Sequence, residues 1–355
     1  VVMTPSHKVI TPETSIRSIS ILGSTGSVGT NTVDLVKLTP ERFSVTALSA
    51  NRNVALLAEQ ARALKAKIAV IADESYYNDL KEALSGSGVE IAAGRRAVIE
   101  AAMRPSDWIM SAIVGTAGLE PTFKAVERGA IIGLANKECL VSAGKIMINA
   151  IKQQGATIIP VDSEHFSIWF GLHSIDNNKI NTIYLTASGG PLIDTPLKNF
   201  KNIKTSQALK HPNWKMGKKI SIDSSTMMNK VFEVIEAKNI FDIPYNKIKI
   251  LVHQKSYVHA LIKFNNGLIK IIVDESFSES KLEAEIEKSC GHLTEGAYGN
   301  CWEDWQMSSG GAATITILLL IFIITAIPAT SYLYRLIKSD ITDWRNRKLL
   351  IRNRR

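Results

Sequence analysis

Residues 16–29 read IRSISILGSTGSVG, and this stretch decides the fold. Ile16 to Leu22 carries the short apolar pattern of a strand, and a helix is predicted from Gly26 to Leu38. Between them, Gly23-Ser24-Thr25-Gly26-Ser27-Val28-Gly29 sets three glycines at three-residue steps on the turn that opens the helix. Glycines there let backbone amides approach a pyrophosphate, which the positive end of the helix dipole then stabilises. The spacing is Gly-x-x-Gly-x-x-Gly, so a glycine-rich turn that binds nothing is the alternative, and context must decide.

Working outward, the alternation of strand and helix continues. Strands are predicted at Phe43–Ala50, Ile68–Ala72, Trp108–Ile113 and Ile131–Ala135, with a helix at Val54–Leu64 after the second strand. Repeated βαβ units make residues 1–150 an α/β, doubly wound, Rossmann-like domain. At the end of the second strand stands Ser49-Ala50-Asn51-Arg52-Asn53. No carboxylate in this segment repels a 2′-phosphate, and Arg52 offers a guanidinium to pair with one, so NADP is preferred over NAD. A solvated arginine beside a helix start is the structural alternative.

From residue 151 to 274 the pattern changes to a second, α+β domain. Strands are expected at Thr157–Val161 and Thr182–Ala187, and a helix at Ser225–Ala237. Two β runs, His253–Phe264 and Leu268–Val273, are separated by the turn Asn265-Asn266-Gly267. Asp162-Ser163-Glu164 follows the first of these strands. In extended geometry both carboxylates point to one side, and paired oxygens suit a hard cation such as Mg²⁺ or Mn²⁺. A helix cap at Asp162 is the alternative. Glu233, four residues after Asn229 on the expected helix, can supply a third carboxylate. Ser188, His211, Ser224, Asn229 and Lys230 offer the hydroxyls, imidazole, amide and ammonium that bind a phosphate monoester.

The chain has 355 residues, 45% hydrophobic and 21% charged, which excludes a disordered or fibrous protein. Of its net charge of +9, +6 gathers in residues 335–355, where Arg335, Lys338, Arg345, Arg347, Lys348, Arg352, Arg354 and Arg355 face only Asp340 and Asp343. That distribution speaks against a nucleic-acid partner for the remainder. Cys139, Cys290 and Cys301 are too few and scattered for a disulfide framework, which fits a reducing compartment. Val1 to Thr14 lacks the apolar run of a secretory leader. Residues 275–311 read as a linker. Residues 312–334 hold no charge and would reach about 34 Å as a helix, a transmembrane candidate ahead of a basic tail, with a buried core helix as the alternative.

Eight ordered motifs carry a family resemblance: GSTGSVG (23–29), ALSANRN (47–53), AIVGTAGL (112–119), LANKE (134–138), PVDSEH (160–165), TASGGP (186–191), HPNWKMGKKISIDSSTMMNK (211–230) and EVIEA (233–237). Over residues 16–272 the chain resembles 1-deoxy-D-xylulose 5-phosphate reductoisomerase. That resemblance implies an NADPH-dependent, metal-dependent enzyme converting 1-deoxy-D-xylulose 5-phosphate to 2-C-methyl-D-erythritol 4-phosphate. Asp162, Glu164 and Glu233 then match metal ligands, and Ser188, Ser224, Asn229 and Lys230 the substrate's phosphate site, with His211 beside it. Lys137 and Ser163 match substrate-facing positions, and Trp214 and Met216 a closing lid. Glu233 also faces substrate, as does Trp214, His259 matches an active-site histidine, and Asn136 and Glu138 join the cofactor residues. Lys137, Glu164, His211 and His259 are the catalytic candidates.

The resemblance further implies a homodimer in the cytoplasm of a bacterium or in a plastid. It has departures. His253-Gln254-Lys255-Ser256 stands where the family has His-Pro-Gln-Ser, and nothing after Val273 is similar. The competing expectation from another class is a catalytically inactive NADP-binding module tethered to a membrane through residues 312–334.

Overall fold

Strands Arg17–Leu22 (β1), Phe43–Ala50 (β2), Ile68–Ile71 (β3), Glu90–Ala93 (β4), Trp108–Ser111 (β5), Ile131–Leu134 (β6) and Thr157–Pro160 (β7) pair side by side, all parallel, in the order β4-β3-β2-β1-β5-β6-β7. Ile19, Ser20, Ile21 and Leu22 are all buried, because helices cover both faces of a parallel sheet and a central strand meets solvent on neither. Helices Ser27–Leu38 (α1), Val54–Ala63 (α2), Tyr77–Ala83 (α3), Arg95–Met103 (α4), Leu119–Glu127 (α5) and Lys137–Gln154 (α6) make the crossovers. One apolar cluster joins β1, β2 and β3 to α1, α2 and α3 through Val33, Val36, Leu48, Leu57, Ile71 and Leu80.

The computed structural model describes residues 16–172, 175, 179–211 and 217–273. These fall into two compact units, one running to Trp169 and taking back Val231–Ile243, the other holding Phe170–Lys230 and the chain from Pro244. The first unit passes residue 150 because β7 is a seventh strand of its parallel sheet. Trp214, Met216, the linker 275–311, the candidate span 312–334 and the basic tail 335–355 lie outside the described residues. Among the described ones no helix is long and apolar enough to cross a membrane.

Beyond β7 come helix Ser163–Gly171 (α7), strand Ile180–Ala187 (β8), and helices Thr205–Ala208 (α8), Lys218–Ser225 (α9) and Met228–Phe241 (α10). Strands Ile248–Val252 (β9), Val258–Phe264 (β10) and Ile269–Val273 (β11) complete a mixed four-stranded sheet in the second unit, ordered β11-β10-β8-β9. Gly267, at φ +91°, closes the β10–β11 turn as Asn-Asn-Gly predicts.

Two expectations are corrected here. The helix read as continuous from Ser225 is two helices, because Met227 adopts the left-handed φ of +62° and ends the run. The β run from His253 begins only at Val258, and the strand before it, β9, ends at Val252.

Candidate metal and cofactor centre

In a sheet of this order the neighbours β1 and β5 carry crossovers that leave in opposite directions, which opens a crevice at their carboxyl ends. The glycine loop lines it. Gly23 turns at φ +84°, and a Cβ there would lie 2.8 Å from the Ala112 carbonyl on the loop after β5. Gly29 lets α1 approach the loop, since its Cβ would lie 2.1 Å from Gly23 O. Gly26, the N-cap of α1, has no side chain to satisfy the first-turn amides, so that helix end is open to an anion. Ser27 is exposed, Thr25 and Val28 are partly so, and Ser24 is buried.

Asn136 is buried at the start of α6, where Nδ2 donates to the carbonyls of Ile113 and, at 2.8 Å, Gly115. Its Oδ1 and the Ser24 hydroxyl meet no partner among the described residues. Two orphaned polar atoms beside an open helix end fit a dinucleotide that brings its own hydrogen-bonding groups.

At the ribose position Ala50 ends β2, and Asn53 caps α2 by accepting from Leu56 N at 3.2 Å. Arg52 is exposed beside Asn51 and pairs through Nε with Asp73 Oδ2 at 2.8 Å. The segment 49–53 lacks a carboxylate, but the fold brings one from beyond β3. Hydrogen bonds from Ser75, with Arg52 beside it, hold Asp73 below its ordinary range. A 2′-phosphate would therefore share the guanidinium with Asp73.

The acidic centre forms two strands further along the same carboxyl edge. Lys137 opens α6 just after β6, and Asp162 lies between β7 and α7. The triplet 162–164 is not extended, as its sequence suggested: Asp162 caps α7, its Oδ1 accepting from His165 N at 3.3 Å, so Glu164 stands in the first turn. The carboxylates converge all the same. Single oxygens of Asp162, Glu164 and Glu233 all lie within 4.8 Å of one another. Capping and convergence are compatible because a carboxylate has two oxygens. Ser163 Oγ donates to Glu164 Oε2 at 2.5 Å, and Glu138 shares the first turn of α6 with Lys137.

Lys137 Nζ stands among these acids as an internal cation. It donates to Asp162 Oδ2 and, at 2.7 Å, to Glu233 Oε1, which is 1% exposed. Burial works against the ammonium, yet Asp162, Glu233, Glu236 and Glu164 together hold it well above its ordinary range. Three oxygen donors already gathered round a positive charge fit a hard divalent ion, with neither thiolate nor imidazole needed.

Two residues with no assigned role in the sequence complete the centre. His165 is fully buried, with Nδ1 3.0 Å from Asp162 Oδ1 and Nε2 2.9 Å from the Glu233 carbonyl. Glu236 Oε2 lies 3.8 Å from the same Nδ1. Burial opposes the charge on His165, but Glu236, Asp162 and Glu233 raise the imidazole to about 9; burial also lifts Glu236 to about 7. His165 thus ties the segment bearing Asp162 to the helix bearing Glu233, a link that spacing alone does not reveal.

In the second unit, Ser188 Oγ lies 3.0 Å from His211 Nε2 and accepts from Gly190 N at 3.2 Å. Gly190, at φ +69°, permits close approach to Ser224, whose carbonyl would lie 2.5 Å from a Cβ there. Burial holds His211 below its ordinary range, so its imidazole is neutral near pH 7. Lys230 is buried at the start of α10 next to Asn229, and His259 lies on β10, its carbonyl accepting from Thr186 Oγ1 at 2.9 Å.

Comparison with known proteins gives a consistent result. A family model for 1-deoxy-D-xylulose 5-phosphate reductoisomerase matches residues 19–144, and one for the C-terminal domain of that enzyme matches 158–241. The reductoisomerase of Rhodospirillum centenum is 49% identical over 267 residues, covering 75% of this chain and 66% of its own length. That of Zymomonas mobilis is 50% identical over 253 residues, 71% of this chain and 65% of its own length. The solved Zymomonas mobilis enzyme in complex with NADPH has 47% identity and a TM-score of 0.69 over 73% of this chain and 67% of its own. A solved reductoisomerase with NADPH, fosmidomycin and magnesium has 37% identity and a TM-score of 0.70, covering 73% and 66%. The chain spans just under two thirds of the length of the curated relatives it matches.

Proposed function

The chain belongs to the 1-deoxy-D-xylulose 5-phosphate reductoisomerase family, and from that premise we propose that it converts 1-deoxy-D-xylulose 5-phosphate to 2-C-methyl-D-erythritol 4-phosphate. The reaction is an isomerisation of the carbon skeleton followed by reduction with NADPH, dependent on Mg²⁺ or Mn²⁺. One observation carries the proposal: the oxygens of Asp162, Glu164 and Glu233 lie within 4.8 Å of one another at the carboxyl edge of the sheet whose first loop is built for a dinucleotide.

Asp162, Glu164 and Glu233 are the residues that would hold the cation. When bound, a divalent ion supplies the charge that polarises the ketone and stabilises negative charge developing on the substrate's oxygens. Lys137 keeps its ammonium charged in that space and can hold a proton at Nζ for an oxygen that becomes anionic. Ser163 offers a hydroxyl to the substrate from the first turn of α7. His165 keeps Asp162 and the Glu233 backbone in place while bonds rearrange.

By the family resemblance Ser188, His211, Ser224, Asn229 and Lys230 would bind the phosphate, Trp214 is a further substrate-binding residue, and His259 is a catalytic candidate. A neutral His211 can donate a hydrogen bond to a phosphate oxygen. Gly23–Gly29, with Ala50, Asn51, Arg52 and Asn53 toward the ribose and Asn136 and Glu138, would hold NADPH, which when bound would supply the hydride for the reduction. By the same resemblance the protein works as a homodimer in a reducing, NADPH-containing compartment.

The test is loss of NADPH absorbance on adding substrate. Oxidation that requires both 1-deoxy-D-xylulose 5-phosphate and Mg²⁺ is expected. NADPH binding with no oxidation under any of these conditions would leave a binding module and refute the enzyme.

A further inference from the structure

Helix α6 is broken where helix α10 touches it. Ala143, in the interior of Lys137–Gln154, has φ −125° and ψ 21°, outside the helical region. A regular helix would bond the Leu140 carbonyl to the Gly144 amide across this residue. Here the side chain of Asn239 on α10 donates from Nδ2 to Leu140 O at 3.0 Å. Gly144 makes room for it, since a Cβ at that position would lie 2.2 Å from Asn239 Nδ2. The break and this hydrogen bond fall within one turn of α6.

Each of the two helices carries a charged group of the acidic centre, and both contacts fall within one compact unit. Lys137 opens α6, and Glu233, Glu236 and Asn239 follow at three-residue steps along α10. Such steps sweep roughly 120° of the helix surface. Each residue meets a polar partner on another element: Lys137 Nζ at 2.7 Å, His165 Nδ1 at 3.8 Å and Leu140 O at 3.0 Å. Otherwise α10 buries Ala237, Ile240 and Phe241, an apolar face that fixes depth better than rotation or height. The directional hydrogen bonds of Glu233 and Asn239 supply those two missing coordinates.

We propose that Asn239 is a positioning residue for the metal centre, clamping α10 to the broken α6 so that Glu233 is presented at the height and angle at which it shares a cation with Asp162 and Glu164. The inference rests on the reading of those three carboxylates as cation ligands. Asn239 touches neither cation nor substrate, and Gly144 is required as the space it occupies.

The test measures Mn²⁺ affinity of the full chain by the electron paramagnetic resonance of free Mn²⁺, with NADPH affinity measured alongside. Asn239→Ala and Gly144→Ala are each expected to weaken Mn²⁺ binding about tenfold or more and to leave NADPH binding unchanged. Gly144→Ala reaches the same clamp by displacing the amide, should Asn239→Ala fail to fold. Val98→Ala, a truncation in the buried face of α4, reports general loss of stability and is expected to keep wild-type Mn²⁺ affinity. Wild-type Mn²⁺ affinity in both clamp variants, or an equal loss in Val98→Ala, would overturn the positioning role. Failure of the wild-type chain to take up Mn²⁺ would instead overturn the ligand assignment of the carboxylates, and the clamp with it.

Discussion

The ammonium of Lys137 lies 2.7 Å from Glu233 Oε1, although 96 residues separate the two in sequence. One comes from the turn after β6, the other from a helix that the chain reaches only after building most of a second unit. Lys137 therefore neutralises a carboxylate cluster that would otherwise repel itself.

Removing that cation exposes the repulsion. Lys137→Met should destabilise the metal-free protein by about 3–5 kcal/mol, the usual cost of stripping one partner from a buried ion pair. Added Mn²⁺ should restore more stability to this variant than to wild type, because binding to the native state alone is a mass-action stabiliser. Thermal unfolding with and without Mn²⁺ reads both effects, and a variant as stable as wild type without metal would contradict the role.

Glu233→Gln keeps the shape and removes the charge. Mn²⁺ affinity should drop by about 100-fold and turnover with it, while NADPH affinity stays within about threefold, since the carboxylate is not part of the glycine loop. Isothermal titration with each ligand separates the two, and unchanged Mn²⁺ affinity would remove Glu233 from the centre.

The loop glycines are not equivalent. A Cβ on Gly29 would meet Gly23 O at 2.1 Å, whereas one on Gly26 would come no nearer than 3.4 Å to the same atom. Gly29→Ala should lose about 1–3 kcal/mol through overpacking, and NADPH should bind at least about tenfold more weakly as α1 is pushed from the loop. Gly26→Ala should change stability by less than about 0.5 kcal/mol. Chemical unfolding and NADPH fluorescence titration check the pair; equal stability losses would show that the close approach does not govern packing.

Acid sensitivity has a localised source at the opposite end of the sheet. Asp107 Oδ2 accepts from both the amide and the hydroxyl of Ser18 at 2.7 Å, tying the start of β5 to β1. Those hydrogen bonds hold its carboxyl below the ordinary range although burial opposes them. A depressed folded value means stability that is present above the unfolded value, about 3.9, and is lost as pH falls through the folded one. Because the group is largely exposed, Asp107→Asn should cost no more than about 1 kcal/mol at pH 7. The gap from wild type should narrow at a pH below that unfolded value. Urea midpoints at the two pH values test it, and a gap that persists in acid would place the effect elsewhere.

Much of this was legible before any coordinates. The strand–glycine–helix start of the first unit declares itself because Ile19, Ile21 and Leu22 must be buried and the turn needs a backbone without side chains. The short edge strand β4 does not: it opens on exposed Glu90 and has no fully buried position to impose a pattern. The break at Met227 is equally silent, because a methionine at φ +62° carries none of the turn chemistry that a glycine would have shown.

In the acidic centre, residue types were informative and local geometry was not. An aspartate whose carboxylate accepts from the backbone amide three residues later is a helix start, and the alternation of carboxylates at 162 and 164 concealed it. His165, Glu236 and Asn239 escaped notice because each acts through partners far away in sequence, and no spacing rule reports a contact of that kind.

Anomalous diffraction from crystals grown with Mn²⁺ tests the central claim most directly. A single Mn²⁺ peak about 2.0–2.3 Å from one oxygen each of Asp162, Glu164 and Glu233 is expected, with the Lys137 ammonium displaced from between them. An ion bound elsewhere, or three carboxylates that still close on Lys137 at saturating Mn²⁺, would contradict the account.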